Sequence, residues 1–239
     1  MPARHRYLPV RHYRQVIPPN PGLCLPARKT QGRWTVLVPI KPLAVAKTRL
    51  RGAVEECLHA DLVLAMARDT VAAALACPDV TTVAVVTGEP VVADAVAAQG
   101  ATVVPEPAPV GGALNAALTH GATVVGDGWV AALPADLPAL RPAELATALR
   151  AAHAAGRPGY VADAAGTGTV LLTAVAGTPL RPRFGPDSAQ AHARGGAVPL
   201  VGDWPSLRRD VDSPDDLGLA TALGLGAHTA AVLSGACRP

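Results

Sequence analysis

From residue 34 onward, short apolar runs alternate with longer segments in which apolar residues recur every three or four positions. The short runs are typical of strands buried on both faces of a sheet: WTVLVPI (34–40), TTVAVVT (81–87), ATVVP (101–105) and WVAALPAD (129–136). The longer segments are typical of amphipathic helices and cover about residues 54–77, 90–100 and 141–156, while residues 111–122 are predicted to be a loop that runs into a helix. Strand and helix thus alternate four times, which predicts an α/β fold with a mostly parallel sheet and helices on both faces.

Several of these helices carry end signals. Gly100 and Gly156 follow two of the helical segments and are predicted C-caps, while Pro142 lies in the first turn of the last segment. Further along, Ser213 and Pro214 are typical of an N-cap and a first helical residue, and acidic residues follow them.

The first 33 residues differ from the rest of the chain in composition. They hold seven basic residues and no acidic one, are rich in proline and show no periodicity, which predicts a disordered basic extension. The other 206 residues carry 14 basic and 18 acidic residues, so the net charge of +3 hides a slightly acidic folded part. We interpret residues 34–226 as one domain and residues 227–239 as a C-terminal tail.

Composition argues against several classes of protein. Half of the residues are hydrophobic, so the chain can bury a sizeable core, but only 3% are aromatic, which disfavours a surface that stacks single-stranded nucleic acid. No apolar run reaches about 18 residues, so no membrane span is expected, and the N-terminus lacks the apolar stretch of a signal peptide. Four scattered cysteines have neither metal-like nor disulfide-framework spacing, which indicates reduced thiols in the cytoplasm.

The loop after the first predicted strand concentrates lysine in a chain that otherwise uses arginine. Two of the three lysines, Lys41 and Lys47, lie in this loop, and Arg49 follows them. Three cations within nine residues beside a helix N-terminus are suited to cradle a polyphosphate. The P-loop pattern and GxGxxG are both absent from this loop, and a solvated loop with incidental charges is the alternative.

Acidic residues follow the fourth predicted strand and recur near the end of the chain. Asp136 closes a buried strand at the sheet edge where α/β proteins bind ligands, and it is suited to hold Mg²⁺; capping the next helix is the alternative. Asp210 and Asp212 alternate along an extended segment, so both can face the same way. If that segment folds back toward Asp136, a metal site with two carboxylates results.

Three glycine-containing segments are further candidates for substrate contact. Gly111 and Gly112 precede a helix whose first turn carries Asn115. Glycine lets the backbone approach a base closely and an amide can read the base edge, although a simple turn is the alternative. The segments AAGTGT (164–169) and RFGPDS (183–188) offer backbone N–H groups and hydroxyls suited to a small anion.

Several motifs, taken in order along about residues 34–222, resemble one known family: VPIKPLAVAKTRL, GALNAAL, LPADLPAL, GTGT, RFGPDSAQAH and DVDSPDDL. They are similar to the 2-phospho-L-lactate guanylyltransferase family of coenzyme F420 biosynthesis, whose actinobacterial members are phosphoenolpyruvate guanylyltransferases. LPADLPAL recurs widely in nucleotidyltransferases, whereas the lysine-containing motif and RFGPDSAQAH are more specific. The resemblance implies a nucleotidyltransferase-type (Rossmann-like) three-layer sandwich with a mostly parallel, mixed sheet, GTP as nucleotide donor and Mg²⁺ as cofactor.

The resemblance also implies a role for each candidate residue. The phosphate of phosphoenolpyruvate, or of 2-phospho-L-lactate, would attack the α-phosphate of GTP and expel pyrophosphate. Four groups of residues would serve this reaction: Lys41, Lys47 and Arg49 on the triphosphate; Asp136 with Asp210 or Asp212 on Mg²⁺; Gly111, Gly112 and Asn115 at the guanine; and Thr169, Gly185 and Ser188 on the acceptor. The product would pass to a deazaflavin transferase, and neither nucleic acid nor a membrane is an expected partner.

Three rival interpretations are open on the residues alone. Another nucleotidyltransferase, of the molybdopterin or sugar-phosphate type, would usually have a glycine-rich loop before its lysine, where this chain has Pro39-Ile40-Lys41-Pro42. A non-catalytic nucleotide-binding protein would not need the intact lysines and carboxylates. A nucleic-acid-binding module would instead use the basic residues 1–33.

Overall fold

The apolar runs form one mixed sheet of seven strands within the part of the chain that the computed structural model describes, namely residues 34–43, 47, 50, 58–106 and 114–235. The strands are β1 (Trp34–Pro39), β2 (Val80–Thr87), β3 (Thr102–Pro105), β4 (Trp129–Ala132), β5 (Gly159–Ala162), β6 (Thr169–Ala174) and β7 (Val198–Pro199). The helices are α1 (His59–Leu75), α2 (Pro90–Ala97), α3 (Leu114–Val125), α4 (Pro142–Ala155), α5 (Ser188–Arg194), α6 (Pro214–Leu223) and α7 (Ala227–Ser234). All of them belong to one unit, residues 32–239.

The strand order of the sheet is β3-β2-β1-β4-β6-β5-β7. β1 lies parallel to both β2 and β4, and β2 lies parallel to β3. β6 is antiparallel to β4 and to β5, while the short β7 is parallel to β5. The prediction of an α/β fold with a mostly parallel but mixed sheet is therefore confirmed.

The order of the strands reverses at β1. The chain goes from β1 to β2 and β3 on one side, and β4 then pairs with β1 on the other side, with Leu37 opposite Ala132. The carboxyl ends of β1 and β4 are thus neighbours at the point where the strand order reverses. In open α/β sheets this is the switch point at which ligands bind.

Hydrophobic layers cover both faces of the sheet. Val36 and Val38 of β1 join a core with α1, α2, α4 and α6, whereas Leu37 between them joins a second core with α3. This alternation follows from the two-residue period of a strand. α3 lies very close to the sheet, because a Cβ added at Gly121 would be 2.7 Å from Val86 Cγ2.

Three predicted helix caps are confirmed, and one strand ends earlier than the sequence suggests. Gly156 caps α4 with a left-handed backbone at φ +63°, and Ser213 caps α6 in a capping box with Asp216. α2 ends at Ala97, and Gly100 closes it in a Schellman motif, with a left-handed φ of +96° and bonds from Gly100 N to Ala97 O (2.9 Å) and from Ala101 N to Val96 O (3.1 Å). β4 ends at Ala132 instead of residue 136, since proline follows at 134 and cannot donate to the ladder.

The predicted C-terminal tail begins with a helix that packs on the core. Residues 227–234 form α7, and the buried Asp69 of α1 accepts hydrogen bonds from His228 N (3.0 Å) and Thr229 N (2.7 Å) at its N-terminus. Residues 227–234 therefore belong with the domain. The predicted extension of residues 1–33 and the last four residues lie outside the described residues. None of the described helices combines the length and hydrophobicity that crossing a membrane would require.

Candidate active site

The loop after β1 is attached to the neighbouring β2 strand. Ile40 N donates to Val86 O at 2.9 Å, and Leu43 N donates to the carboxylate of Glu89 at 2.8 Å. Lys47 then adopts a left-handed backbone, with φ +54°, and its carbonyl accepts from Leu50 N at 2.9 Å. This conformation costs a non-glycine residue about 1 kcal/mol, so the surrounding contacts must hold Lys47 in place.

The side chain of Lys47 bridges two carboxylates from distant parts of the sequence. Its ammonium forms ion pairs and hydrogen bonds with Asp136, which follows β4, and with Asp212, which precedes α6. The Lys47 and Asp136 side chains are each only 17% exposed, whereas the Asp212 side chain is 55% exposed. The three charges therefore meet at the switch point and are open to solvent on the Asp212 side.

The clustering of charges shifts two pKa values. Burial alone would lower the pKa of the Lys47 ammonium, but the carboxylates of Asp136 and Asp212 outweigh burial and raise it above the ordinary value. Burial, together with the same two carboxylates, raises the pKa of Asp210 to about 7. The Asp210 carboxyl therefore interacts electrostatically with the carboxylates of Asp136 and Asp212.

The segment of residues 208–212 runs from the β5–β6 hairpin to Asp136. The guanidinium of Arg208 donates to the carbonyls of Ala162 (3.1 Å) and Asp163 (2.7 Å), and Val211 N donates to Asp136 O at 3.1 Å. Asp210 and Asp212 precede and follow Val211, whose backbone is bonded to that of Asp136. The segment does fold back to Asp136, as the sequence pattern allowed.

The donor set at this position suits a hard divalent cation. Asp136 Oδ1 is buried and has no hydrogen-bond partner within the described ranges, so one of its oxygens is available to a cation. Among the described residues, no group of three or more His, Cys, Asp and Glu side chains is arranged as a metal site by itself. Mg²⁺ typically takes one or two carboxylates and completes its shell with substrate phosphates and water.

Thr169 lies at the same sheet edge as Asp136. Since β6 is antiparallel to β4, with Leu172 opposite Ala132, the first residue of β6 lies near the carboxyl end of β4. The amides of Thr167 and Gly168 in the preceding turn donate to Asp163 at 3.0 and 2.9 Å. These two N–H groups, which the sequence offered for a small anion, are thus already bonded within the chain.

His192 ties Thr169 to the loop before α5. Its Nε2 accepts from Arg183 N at 2.9 Å, and its Nδ1 lies 2.9 Å from Thr169 Oγ1. Burial and the charge of Arg183 lower the pKa of His192 to about 4, so the ring is neutral near pH 7 and Nδ1 carries the proton. Nδ1 therefore donates to Thr169 Oγ1, and among the described residues the threonine hydroxyl hydrogen has no acceptor, so it can donate to a ligand.

Gly185 and Ser188, the other two residues predicted to bind the acceptor substrate, lie close to Thr169 and His192. Gly185 O accepts from Ser188 N at 3.2 Å, and Thr167 O accepts from Ala189 N at 3.0 Å. Ser188 is buried, with 2% exposure, whereas Gly185 is exposed. These bonds connect the start of β6, the loop of residues 183–188 and the start of α5, and we call this region the corner between β6 and α5.

Asn115 joins α3 to the same corner. Its amide nitrogen donates to Phe184 O at 3.0 Å, and its amide oxygen accepts from Phe184 N at 2.8 Å. The side chain predicted to read guanine thus holds the backbone immediately before Gly185.

The structure brings eight of the twelve predicted site residues to one edge of the sheet and leaves one more exposed nearby. Lys41 is exposed in the loop after β1. Arg49, Gly111 and Gly112 lie outside the described residues. Sequence reasoning missed two positioning residues, Glu89 and Arg208, because each acts on backbone atoms at least 45 residues away. An isolated acidic or basic residue in a sequence does not indicate such a bond.

Comparison with known proteins agrees with this geometry. A family model for the MobA-like NTP transferase domain matches residues 64–197. A protein from Desulfovibrio desulfuricans G20 assigned as a nucleotide-diphospho-sugar transferase has the same fold, with a TM-score of 0.58 at 18% identity over 84% of this chain and 93% of that one. The class of protein is therefore a nucleotidyltransferase.

Closer relatives narrow this class. The phosphoenolpyruvate guanylyltransferase of Salinispora arenicola is 57% identical over 86% of this chain and 95% of its own length. That of Geodermatophilus obscurus is also 57% identical, over 86% of this chain and 96% of its own length. The chain belongs to the family of these phosphoenolpyruvate guanylyltransferases, and the resemblance seen in the sequence motifs is confirmed.

Proposed function

We propose that this enzyme joins GMP from GTP to phosphoenolpyruvate, giving enolpyruvyl-diphospho-guanosine and pyrophosphate in coenzyme F420 biosynthesis. The observation that carries the proposal is the Lys47 ammonium between Asp136 and Asp212 at the switch point of a nucleotidyltransferase sheet. The names of relatives at 57% identity support GTP as donor and phosphoenolpyruvate as acceptor. 2-Phospho-L-lactate is the second candidate acceptor, since it carries the same phosphate and carboxylate.

The proposed reaction forms one phosphoanhydride bond and breaks another. A phosphate oxygen of the acceptor attacks the α-phosphorus of GTP, and the bond to the β-phosphate breaks as pyrophosphate leaves. A phosphate monoester is already an anionic nucleophile, so the step needs no strong general base. Catalysis then consists of positioning the reactants and neutralising charge.

Charged side chains at the switch point supply this neutralisation. Asp136, with Asp210 or Asp212, would hold Mg²⁺, and the buried, unpartnered Oδ1 of Asp136 supports this assignment. When bound, Mg²⁺ supplies Lewis-acid polarisation of the reacting phosphate oxygens. Lys47 and the exposed Lys41 bind the triphosphate and stabilise the leaving pyrophosphate, together with Arg49.

Neutral groups orient the two substrates. The acceptor is bound by hydroxyl and backbone groups of the corner between β6 and α5, and the guanine by the segment that enters α3. The residues are Thr169, Gly185 and Ser188 for the acceptor, and Gly111, Gly112 and Asn115 for the guanine. The hydroxyl hydrogen of Thr169, which has no acceptor within the described ranges, supports a contact with an anionic acceptor.

We further propose that the product passes to a deazaflavin transferase and that the reaction takes place in the cytoplasm. The free thiol of the buried Cys77 is consistent with a reducing compartment.

The direct test is release of pyrophosphate by the purified protein with GTP, Mg²⁺ and either acceptor. We expect turnover with phosphoenolpyruvate, a product whose mass is that of enolpyruvyl-diphospho-guanosine, and consumption of this product by the downstream deazaflavin transferase. Turnover with 2-phospho-L-lactate but not with phosphoenolpyruvate would reassign the acceptor. Absence of pyrophosphate with both acids would reject the proposal.

A matched pair of variants tests the carboxylate site. Asp136→Asn should lower kcat by at least about a hundredfold, the scale of losing one group that stabilises transition-state charge. Asp215→Asn removes an exposed carboxylate from the first turn of α6 and should leave kcat within about twofold. Near-normal turnover by Asp136→Asn, in a protein that is folded by circular dichroism, would remove Asp136 from the site.

A further inference from the structure

The ammonium of Lys47 occupies the gap between two of the carboxylates that the proposed function assigns to the divalent cation. It is bonded to Asp136 Oδ2 and to Asp212 Oδ1. A divalent cation held by Asp136 and Asp212, even one that uses the unpartnered Asp136 Oδ1, would lie beside this ammonium, and the two positive charges repel each other. The ion pairs of Lys47 and cation binding at this place therefore compete.

The backbone of Lys47 is held by the hydrogen bond from Leu50 N, whereas its side chain is held by the two ion pairs. Lysine rarely adopts φ near +54°, because its Cβ approaches the carbonyl oxygen in the left-handed region. The described bonds of the Lys47 side chain are those to Asp136 and Asp212. When these carboxylates acquire another cation, nothing else described keeps the side chain in place.

Lys41 provides an internal contrast within the same loop. It is exposed, and it forms no ion pair with any residue of the described part of the chain. Of the two lysines after β1, only Lys47 is bonded to the carboxylates that would hold a cation.

We propose that Lys47 is an exchange residue whose ammonium takes the place of the divalent cation in the free protein and moves to the triphosphate when the cation arrives with the nucleotide. The proposal rests on the proposed function, since it needs a cation and a triphosphate at this site. It follows that the free protein binds divalent cations weakly, and that cation and nucleotide strengthen each other's binding.

Binding of Mn²⁺ to the nucleotide-free protein, measured from the electron paramagnetic resonance signal of free Mn²⁺, tests the exchange. Lys47→Met should bind Mn²⁺ at least about tenfold more tightly than wild type, because both carboxylates lose their ammonium. Lys47→Arg keeps a cation between the carboxylates and should bind no more tightly than wild type. Lys41→Met removes one positive charge from the same loop and should stay within about threefold of wild type.

Two results would overturn the proposal. One is that Lys47→Met binds Mn²⁺ no more tightly than wild type. The other is that Lys41→Met tightens binding as much as Lys47→Met does, which would reduce the effect to net charge.

A second measurement uses the wild-type protein and covers the case in which Lys47→Met fails to fold. The chain has three lysines, so selective ¹⁵N labelling of lysine side chains gives three ammonium signals that single substitutions assign. Mg²⁺ added to saturation should shift the Lys47 signal and leave that of Lys41 in place. An unmoved Lys47 signal at saturating Mg²⁺ overturns the exchange.

These readouts need no turnover. If Lys47→Met tightens Mn²⁺ binding but wild type releases no pyrophosphate, the exchange stands and the assigned reaction fails. If wild type releases pyrophosphate but Lys47→Met and wild type bind Mn²⁺ equally tightly, the assigned reaction stands and the exchange fails.

Discussion

Replacing Asn115 with alanine should loosen the corner that carries Gly185 and Ser188. The substitution removes both hydrogen bonds to the Phe184 backbone, at 3.0 and 2.8 Å. A neutral hydrogen bond contributes about 0.5–1.5 kcal/mol net, so the pair contributes about 1–3 kcal/mol. Phe184 is only partly buried, so water can reach its freed backbone groups, and the middle of this range is expected.

Urea denaturation, monitored by circular dichroism, measures this loss in the free energy of unfolding. A loss of about 2 kcal/mol corresponds to a fall in Tm of about 4–8 °C for a domain of this size. Thr119→Ala is the matched control, since Thr119 also lies on α3 but its hydroxyl bonds only to Asn115 O within the helix. The control should change the free energy of unfolding by less than about 0.5 kcal/mol.

Kinetics separate the two roles open to Asn115. If its amide mainly holds Phe184, Asn115→Ala should raise the KM for phosphoenolpyruvate more than the KM for GTP, because Gly185 follows directly. If the amide mainly contacts guanine, the KM for GTP should rise most. An unfolding free energy within about 0.5 kcal/mol of the Thr119→Ala control would refute the reasoning from the Phe184 bonds.

Two further predictions concern stability. Asp69→Ala should lower the free energy of unfolding by about 3–6 kcal/mol, since two hydrogen bonds to a carboxylate at the start of α7 are lost. Hydrogen exchange should accelerate over residues 227–234, and Asp61→Ala, at an exposed position of α1, is the control. Burial and Arg183 lower the pKa of His192 to about 4 in the folded protein, so the unfolded chain, titrating near pH 6.5, binds the proton more tightly. The stability from neutral His192 is therefore full above pH 6.5 and is lost as the pH falls toward 4, by up to about 3 kcal/mol. Denaturation of His192→Asn across this range should show a weaker pH dependence, and an unchanged dependence would contradict the assignment.

Local patterns in the sequence predict most of the fold. The continuous apolar run of β1 corresponds to a strand buried on both faces, and the period near 3.6 in α1 corresponds to the residues that this helix buries. The left-handed Gly156 and the capping box at Ser213 are equally local, since the groups that form them lie within a few residues. Boundaries are less predictable: apolar residues continue beyond Ala132, although the strand ends there.

The candidate site is predictable only in part, for a physical reason. The rule that ligands bind where parallel strands end is sufficient to select Lys47 and Asp136. It does not predict that Asn115 bonds to the backbone of Phe184, 69 residues away, or that Asp69 holds α7 from 159 residues away. Such bonds depend on the tertiary path of the chain, and composition and periodicity contain no signal of them.

The scarcity of lysine also has a physical interpretation in the structure. The chain uses 18 arginines but only three lysines, and one of the three lies between Asp136 and Asp212. The planar guanidinium of an arginine would bind a carboxylate through two parallel bonds and would give it up less readily. The ammonium of a lysine is a compact charge on a flexible stem, so it can occupy the place of a cation and then leave it. Residues 34–239 carry 14 basic and 18 acidic residues, so their net charge does not attract a triphosphate. Attraction must instead come from placing lysine and a divalent cation at one point, where Lys47 can serve both the carboxylates and the phosphates.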